Sequence, residues 1–175
     1  MMRILLGLAC AAMAPLIAVA QADVSFVNDG IVDAPIAEVW KVFSTAEGYK
    51  VLGLPRVEFD LRVGGTIRSR YGTDGTLGDE ETIETLILAY EPPRMIATRI
   101  QKTPKTFPFK EAWKKTWTVL TLTDLGNGRT HVRAASLGFG PDQEAVAMRR
   151  FFERGNQQQI DGVQKFFAER KGGTK

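Results

Sequence analysis

An α+β domain is what this sequence predicts: an antiparallel sheet of about seven strands, a long C-terminal helix, and short helices after strand 1. Three observations carry that expectation. Segments that alternate apolar and polar residues recur between glycine- and proline-rich turns, the pattern of half-buried strands joined as hairpins. Helical spacing appears only twice, briefly after Pro35 and at length from Gln143. Strands that follow one another through short turns pair antiparallel, and the helices then collect on one face.

Residues 24–32, rich in Val, Ile and Phe, read as the first strand, ending at Asp33-Ala34-Pro35. Asp33 is placed to cap a helix whose first turn tolerates Pro35. Ile36, Val39, Trp40 and Phe43 then recur at helical spacing, and residues 45–50 add another turn. Val57, Phe59 and Leu61 alternate with Glu58, Asp60 and Arg62 as a strand. Gly64-Gly65 reads as a tight turn into a partner strand at 66–71. Further strands follow at 81–90, stopped by Pro92-Pro93, at 95–101, at 113–123 and at 130–139. The Asp124-to-Gly128 turn joins the last two. The final helix, 143–170, is roughly 42 Å long at 1.5 Å per residue. Winding it at 100° per residue puts Met148, Phe152, Gly155, Gln159, Val163 and Phe166 on one stripe. Arg150, Glu153, Arg154, Gln157, Asp161 and Gln164 fall opposite.

The 175 residues, 44% hydrophobic and 25% charged, suit one globular domain and exclude disordered and collagenous classes. With 23 Lys and Arg against 20 Asp and Glu, the charge of +3 is too mild to imply nucleic-acid binding. Residues 1–22 differ in kind from the rest. Arg3 precedes an uncharged apolar run, and Ala18, Ala20 and Ala22 offer small residues for cleavage, so the segment reads as a signal peptide. A membrane anchor needs about 20 apolar residues, and Pro15 interrupts this shorter run. Residues 23–175 are then one exported domain, periplasmic or secreted. Loss of Arg3 leaves 22 basic against 20 acidic residues, and loss of Cys10 leaves no cysteine for thiol chemistry or disulfides.

Few side chains suggest catalysis. His131, the one histidine, follows a hairpin turn between Arg129 and Arg133 and reads as a solvated strand-end residue. Asp79, Glu80, Glu81 and Glu84 do not have the spacing of a calcium loop and read as a solvated hairpin. No serine lies in a nucleophile elbow, and no phosphate loop follows Gly64-Gly65. No metal or cofactor is expected. Residues 101–115 carry five lysines against Glu111, interleaved with Phe107, Phe109 and Trp113. This stretch reads either as a cap on a cavity mouth, as a contact for an anionic membrane surface through 102–115, or as a long connection folded onto the core.

Val32-Asp33-Ala34-Pro35 with Val39-Trp40, the run Phe59 to Arg68 through Gly64-Gly65, the Asn127-to-Thr130 turn and the terminal helix together resemble the START-like, or SRPBCC, superfamily. Within it the chain is similar to the branch of heat-shock-ATPase activators and polyketide-cyclase-like proteins, over nearly all of 24–170. The resemblance implies the helix-grip fold, a curved sheet wrapped around the long helix with a cavity between them. The residues expected to line that cavity are Phe59, Ile67, Tyr71, Trp117 and Phe139 from the sheet. Met148, Phe152, Gly155, Gln159 and Phe166 would join them from the helix. Gly155 and Gly162, each costing about 1 kcal/mol in a helix relative to Ala, either admit the sheet closely or leave room for a ligand. The expected role is an exported module that holds a small hydrophobic or amphipathic molecule or a lipid, more a binder than an enzyme. A cyclase, dehydratase or hydrolase acting through Glu84 or His131 is the alternative, and a co-chaperone-like interaction module is the third. The oligomeric state is left open.

Overall fold

The computed structural model describes residues 24–172, so the segment read as a signal peptide lies outside the described residues. Seven antiparallel strands form one sheet: β1 (Val24–Val32), β2 (Arg56–Phe59), β3 (Thr66–Arg70), β4 (Ile83–Glu91), β5 (Met95–Lys102), β6 (Trp117–Gly126) and β7 (Arg129–Phe139). Their order across the sheet is β1-β7-β6-β5-β4-β3-β2, so every pair is a sequence neighbour except β1 with β7. Helices α1 (Ile36–Ser44) and α2 (Ala46–Val51) follow β1, and α3 (Gln143–Gly172) ends the fold. This is the α+β architecture expected from the hairpin pattern, in the helix-grip arrangement that the resemblance implies.

Local chemistry moves several boundaries. Pro35, not Asp33, occupies the N-cap of α1, and no side chain caps it. Thr45 caps α2 by accepting the Gly48 amide at 3.1 Å. The β2–β3 connection is a six-residue loop, 60–65, rather than a glycine-pair turn. Gly64 has φ +78°, and a Cβ at Gly65 would run into the Asp60 carbonyl. β6 starts at Trp117, four residues later than alternation suggested, because Ala112–Lys115 close into a single 3₁₀ turn.

One apolar cluster fills the end of the fold covered by α1 and α2. It gathers Val32, Ile67, Ile87, Ile96, Leu122 and Val132 from the sheet, and Ile160, Val163 and Phe167 from α3. Trp40 stacks on Tyr90 at 5.7 Å, and Tyr49 meets Phe59 edge-on at 4.9 Å. Burial of Tyr49, with the Tyr71 phenol nearby, pushes the Tyr49 hydroxyl pKa well above the ordinary value. A second cluster at the other end holds Phe26, Phe139 and Met148, against which Phe107, Phe109, Trp113 and Phe152 pack.

The buried row of α3 is offset from the stripe wound on the sequence. Ala145, Met148, Ile160, Val163 and Phe167 are its buried residues, whereas Phe152, Gly155, Gln159, Gly162 and Phe166 are half-buried and lie on one flank. The opposite flank grips β1. There Asn28 donates to the Glu153 carbonyl and to Gln157, at 3.0 and 3.1 Å, and Gln164 donates to the Ile31 carbonyl at 3.0 Å. Gln157 and Gln164, which the wheel put on the far side, are therefore structural contacts.

Candidate functional site

Two flanks of one helix, one closed and one open, define a groove. Its floor is the inner face of β4, β5 and β6, where Thr85, Thr98, Ile100, Thr118 and Leu120 remain only half-buried. Its wall is the half-buried α3 row Phe152, Gly155, Gln159 and Gly162. A Cβ built at Gly155 meets nothing within 4 Å, and one at Gly162 meets only the Val51 carbonyl, at 3.9 Å. The helical glycines border space. Close approach between the layers is supplied instead by Gly30 on β1, where a Cβ would sit 2.8 Å from Ile160 Cγ2 and 3.0 Å from Gln164 Nε2.

At the Phe152 end the groove narrows into a pocket of about 40 Å³. Ile100, Phe139 and Phe152 form its apolar side, Thr98, Thr116, Thr118 and Ser136 its polar side, with Trp117 at the rim. That volume holds about three waters, at 10–15 Å³ each, so this pocket between helix and sheet is no large oily hollow. A wider depression of about 580 Å³ lies outside the groove, between the Ala112–Lys115 turn and the start of α3. Two of its carboxylates are already engaged. Asp142 accepts the Ala145 amide at 2.9 Å as a helix cap, and Glu144 accepts the Lys110 and Glu111 amides.

Those Glu144 bonds hold a strap, residues 103–116, across the groove end. Phe107 and Phe109 of the strap pack on Phe151 and Phe152 of α3, with ring centres 5.4–6.1 Å apart within the cluster. Its other root is pinned to the loop before β4. Lys102 donates to the Asp79 carbonyl at 2.7 Å, Lys105 pairs with Glu80 at 2.8 Å, and Thr106 donates to Glu81 at 2.6 Å. Asp79 in turn pairs with Arg70 at 2.6 Å. Partial burial alone would raise its pKa. The amides of Glu81 and Thr76, the Arg70 guanidinium and the Thr82 hydroxyl outweigh that and hold it below the usual carboxylate value. The acidic run read as a solvated hairpin is thus the anchor of the strap.

The ten residues expected to line a cavity separate into groups. Phe139 and Phe152 line the pocket, with Trp117, 36% exposed, at its rim; Gly155 and Gln159 lie half-buried on the same flank of α3 as Phe152. Ile67 and Met148 are buried in the two apolar clusters, and Phe59 and Phe166 pack beside the first. Tyr71 is 58% exposed beyond the end of β3. The wheel missed Asn156, which donates to Ser136 Oγ at 3.2 Å. One polar residue among many on a helix carries no local signal of where it points. Glu84 lies opposite Arg68 on the outer face, and His131 pairs with Asp29 at 2.9 Å, on the same outer side.

The sequence profile of the Activator of Hsp90 ATPase homolog 1-like protein family matches residues 33–168. No curated protein matches the chain. Among solved structures the chain is similar to a protein of Mesorhizobium loti, at 17% identity and TM-score 0.65, over 83% of this chain and 97% of that one. It is also similar to the Aha1 dimer of Colwellia psychrerythraea, at 15% identity and TM-score 0.58, over 81% and 96%. A polyketide-cyclase-like protein of Corynebacterium glutamicum aligns at 15% identity and TM-score 0.55, over 82% and 91%. Likeness at these identities shows a shared fold.

Proposed function

Starting from a chain that belongs to the Activator of Hsp90 ATPase homolog 1-like family, we propose that it is a binding module that takes a small amphipathic molecule into the groove between the sheet and α3. The single observation that carries this is the open flank of the helix. Two glycines that destabilise a helix face no packing partner that would require them, above a floor left half-buried. The module works outside the cytoplasm once residues 1–22 are removed, a reading supported by their uncharged run and the alanines at 18, 20 and 22. The ligand's body lies along Gly155 and Gln159, and its leading end reaches the pocket at Phe152, where the 103–116 strap closes the groove. Binding, rather than acid–base catalysis, suits walls of hydroxyl, amide and hydrocarbon, with Glu84 and His131 on the outer face. The family name and the Colwellia dimer leave a protein-interaction role as the competing reading.

Native mass spectrometry of protein purified from its own host tests this. Wild-type protein is expected to carry a small-molecule mass that Gly155→Trp, which fills the groove, does not retain. The same adduct state for both, carried or absent, overturns the reading.

A further inference from the structure

A polar layer crosses the interior between the two apolar clusters. Along β1 the inward residues run Phe26, Asn28, Gly30, Val32, and along β7 they run Phe139, Ser136, Ala134, Val132. On α3 the sequence is Met148, Phe152, Asn156, Ile160, and on β6 it is Thr118, Leu120, Leu122. Ser136 pairs in register with Thr118, and Asn156 of α3 meets Ser136, so three neighbouring elements turn a polar side chain inward at one level. Asn28, one inward step further along β1 and opposite Ala134, bonds the adjacent turn of α3. β5 adds Thr98, paired in register with Thr118.

Burying polar groups costs stability unless each finds a partner. Part of the layer satisfies itself: Thr118 and Ser136 hydroxyls lie 3.4 Å apart, and Asn156 donates to Ser136 Oγ at 3.2 Å. Because Ser136 accepts from Asn156, its own proton is free to turn towards Thr118 or the pocket. Asn28 is 6% exposed, and its Oδ1 has no partner among the described residues. Its orientation is forced, since the Glu153 carbonyl only accepts and must face the amide nitrogen. The pocket beside this layer has room for a polar tip and not for a whole ligand. Every residue lining it is uncharged, so a buried carboxylate or ammonium there would lack a counter-charge.

From this layer we propose that the Thr98–Thr118–Ser136 hydroxyls form a subsite for the uncharged polar end of the ligand, an alcohol or phenol. Asn156 acts as the positioning residue that orients Ser136. The inference rests on the groove reading above and adds the ligand's chemistry and its direction. The hydroxyl goes in first, under Phe152, and the apolar body trails along the Gly155 flank. A hydroxyl both donates and accepts, which suits a layer that offers a free serine proton and spare acceptor oxygens.

Two probes that differ by one hydroxyl, naphthalene and 2-naphthol, test the subsite by fluorescence titration of the purified protein. Wild type is expected to bind 2-naphthol about tenfold more tightly, the worth of one net hydrogen bond. Ser136→Ala and, independently, Thr118→Val should shrink that preference to about twofold or less, while Gly155→Trp weakens both probes together. Equal affinity of wild type for the two probes, or a preference that survives both hydroxyl removals, overturns the subsite and leaves the groove standing. Failure of wild type to bind either probe, or indifference of both to Gly155→Trp, overturns the subsite and the groove together.

Discussion

The two flanks of α3 carry opposite solutions to the same problem, how a helix sits on a sheet. Towards β1 the contact is tight: Gly30 lets Ile160 and Gln164 reach the strand, and Asn28 bonds the helix backbone. Towards β5 and β6 the helix stands off, and Gly155 faces open space. A glycine on a strand thus marks contact here, and a glycine on the helix marks its absence. The difference teaches that residue identity does not reveal its reason; the neighbour does.

The largest effect should come from closing the tight flank. Gly30→Val forces a branched side chain against Ile160 and is expected to cost about 3 kcal/mol by overpacking, read as a lowered urea midpoint at constant slope. A loss below about 0.5 kcal/mol would show that the β1 contact is not tight. On the open flank the sign reverses. Gly155→Ala should stabilise the protein by about 1 kcal/mol, since the helix gains its propensity and nothing is displaced. Destabilisation there would mean that the flank is packed, which erases the contrast.

A smaller effect concerns the strap that closes the groove end. The folded pKa of Asp79 is depressed, so its contribution to stability is present above the unfolded carboxylate value of about 4 and is lost as pH falls through the folded value. Asp79→Asn should lower the thermal midpoint at pH 7, and the gap to wild type should close as the pH drops below about 4. A gap that stays constant across that range would show that the charge of Asp79 does not hold the anchor.

How far such features were legible depends on the range of the interaction. Strand alternation and the Asn127-Gly128 turn are local, and they place the hairpins to within a few residues. The sequence puts the start of β6 four residues early because Trp113 and Trp117 are equally plausible strand residues, and only packing of the strap on α3 coils 112–115 into a turn. Helical periodicity puts Phe152, Gly155 and Gln159 on one face, but periodicity does not say which flank of that face meets the sheet. The wheel's stripe missed the buried row by roughly one residue for the same reason. Asn156 and Ser136 gave no signal, since each is an ordinary polar residue until the layers meet.

By itself the sequence determined the α+β class, the run of hairpins, the long final helix, and the membership that residues 33–168 carry. These depend on periodicity and turn chemistry, which act over a few residues. Only the tertiary structure decided which flank of α3 is open, how small the enclosed pocket is, and that polar side chains from distant segments share one level. Those depend on the register of β1 against β7 and on where the helix axis lies. Both are set by the sum of contacts between segments more than 100 residues apart in the chain, such as Asn28 with Glu153, and no local window contains that sum.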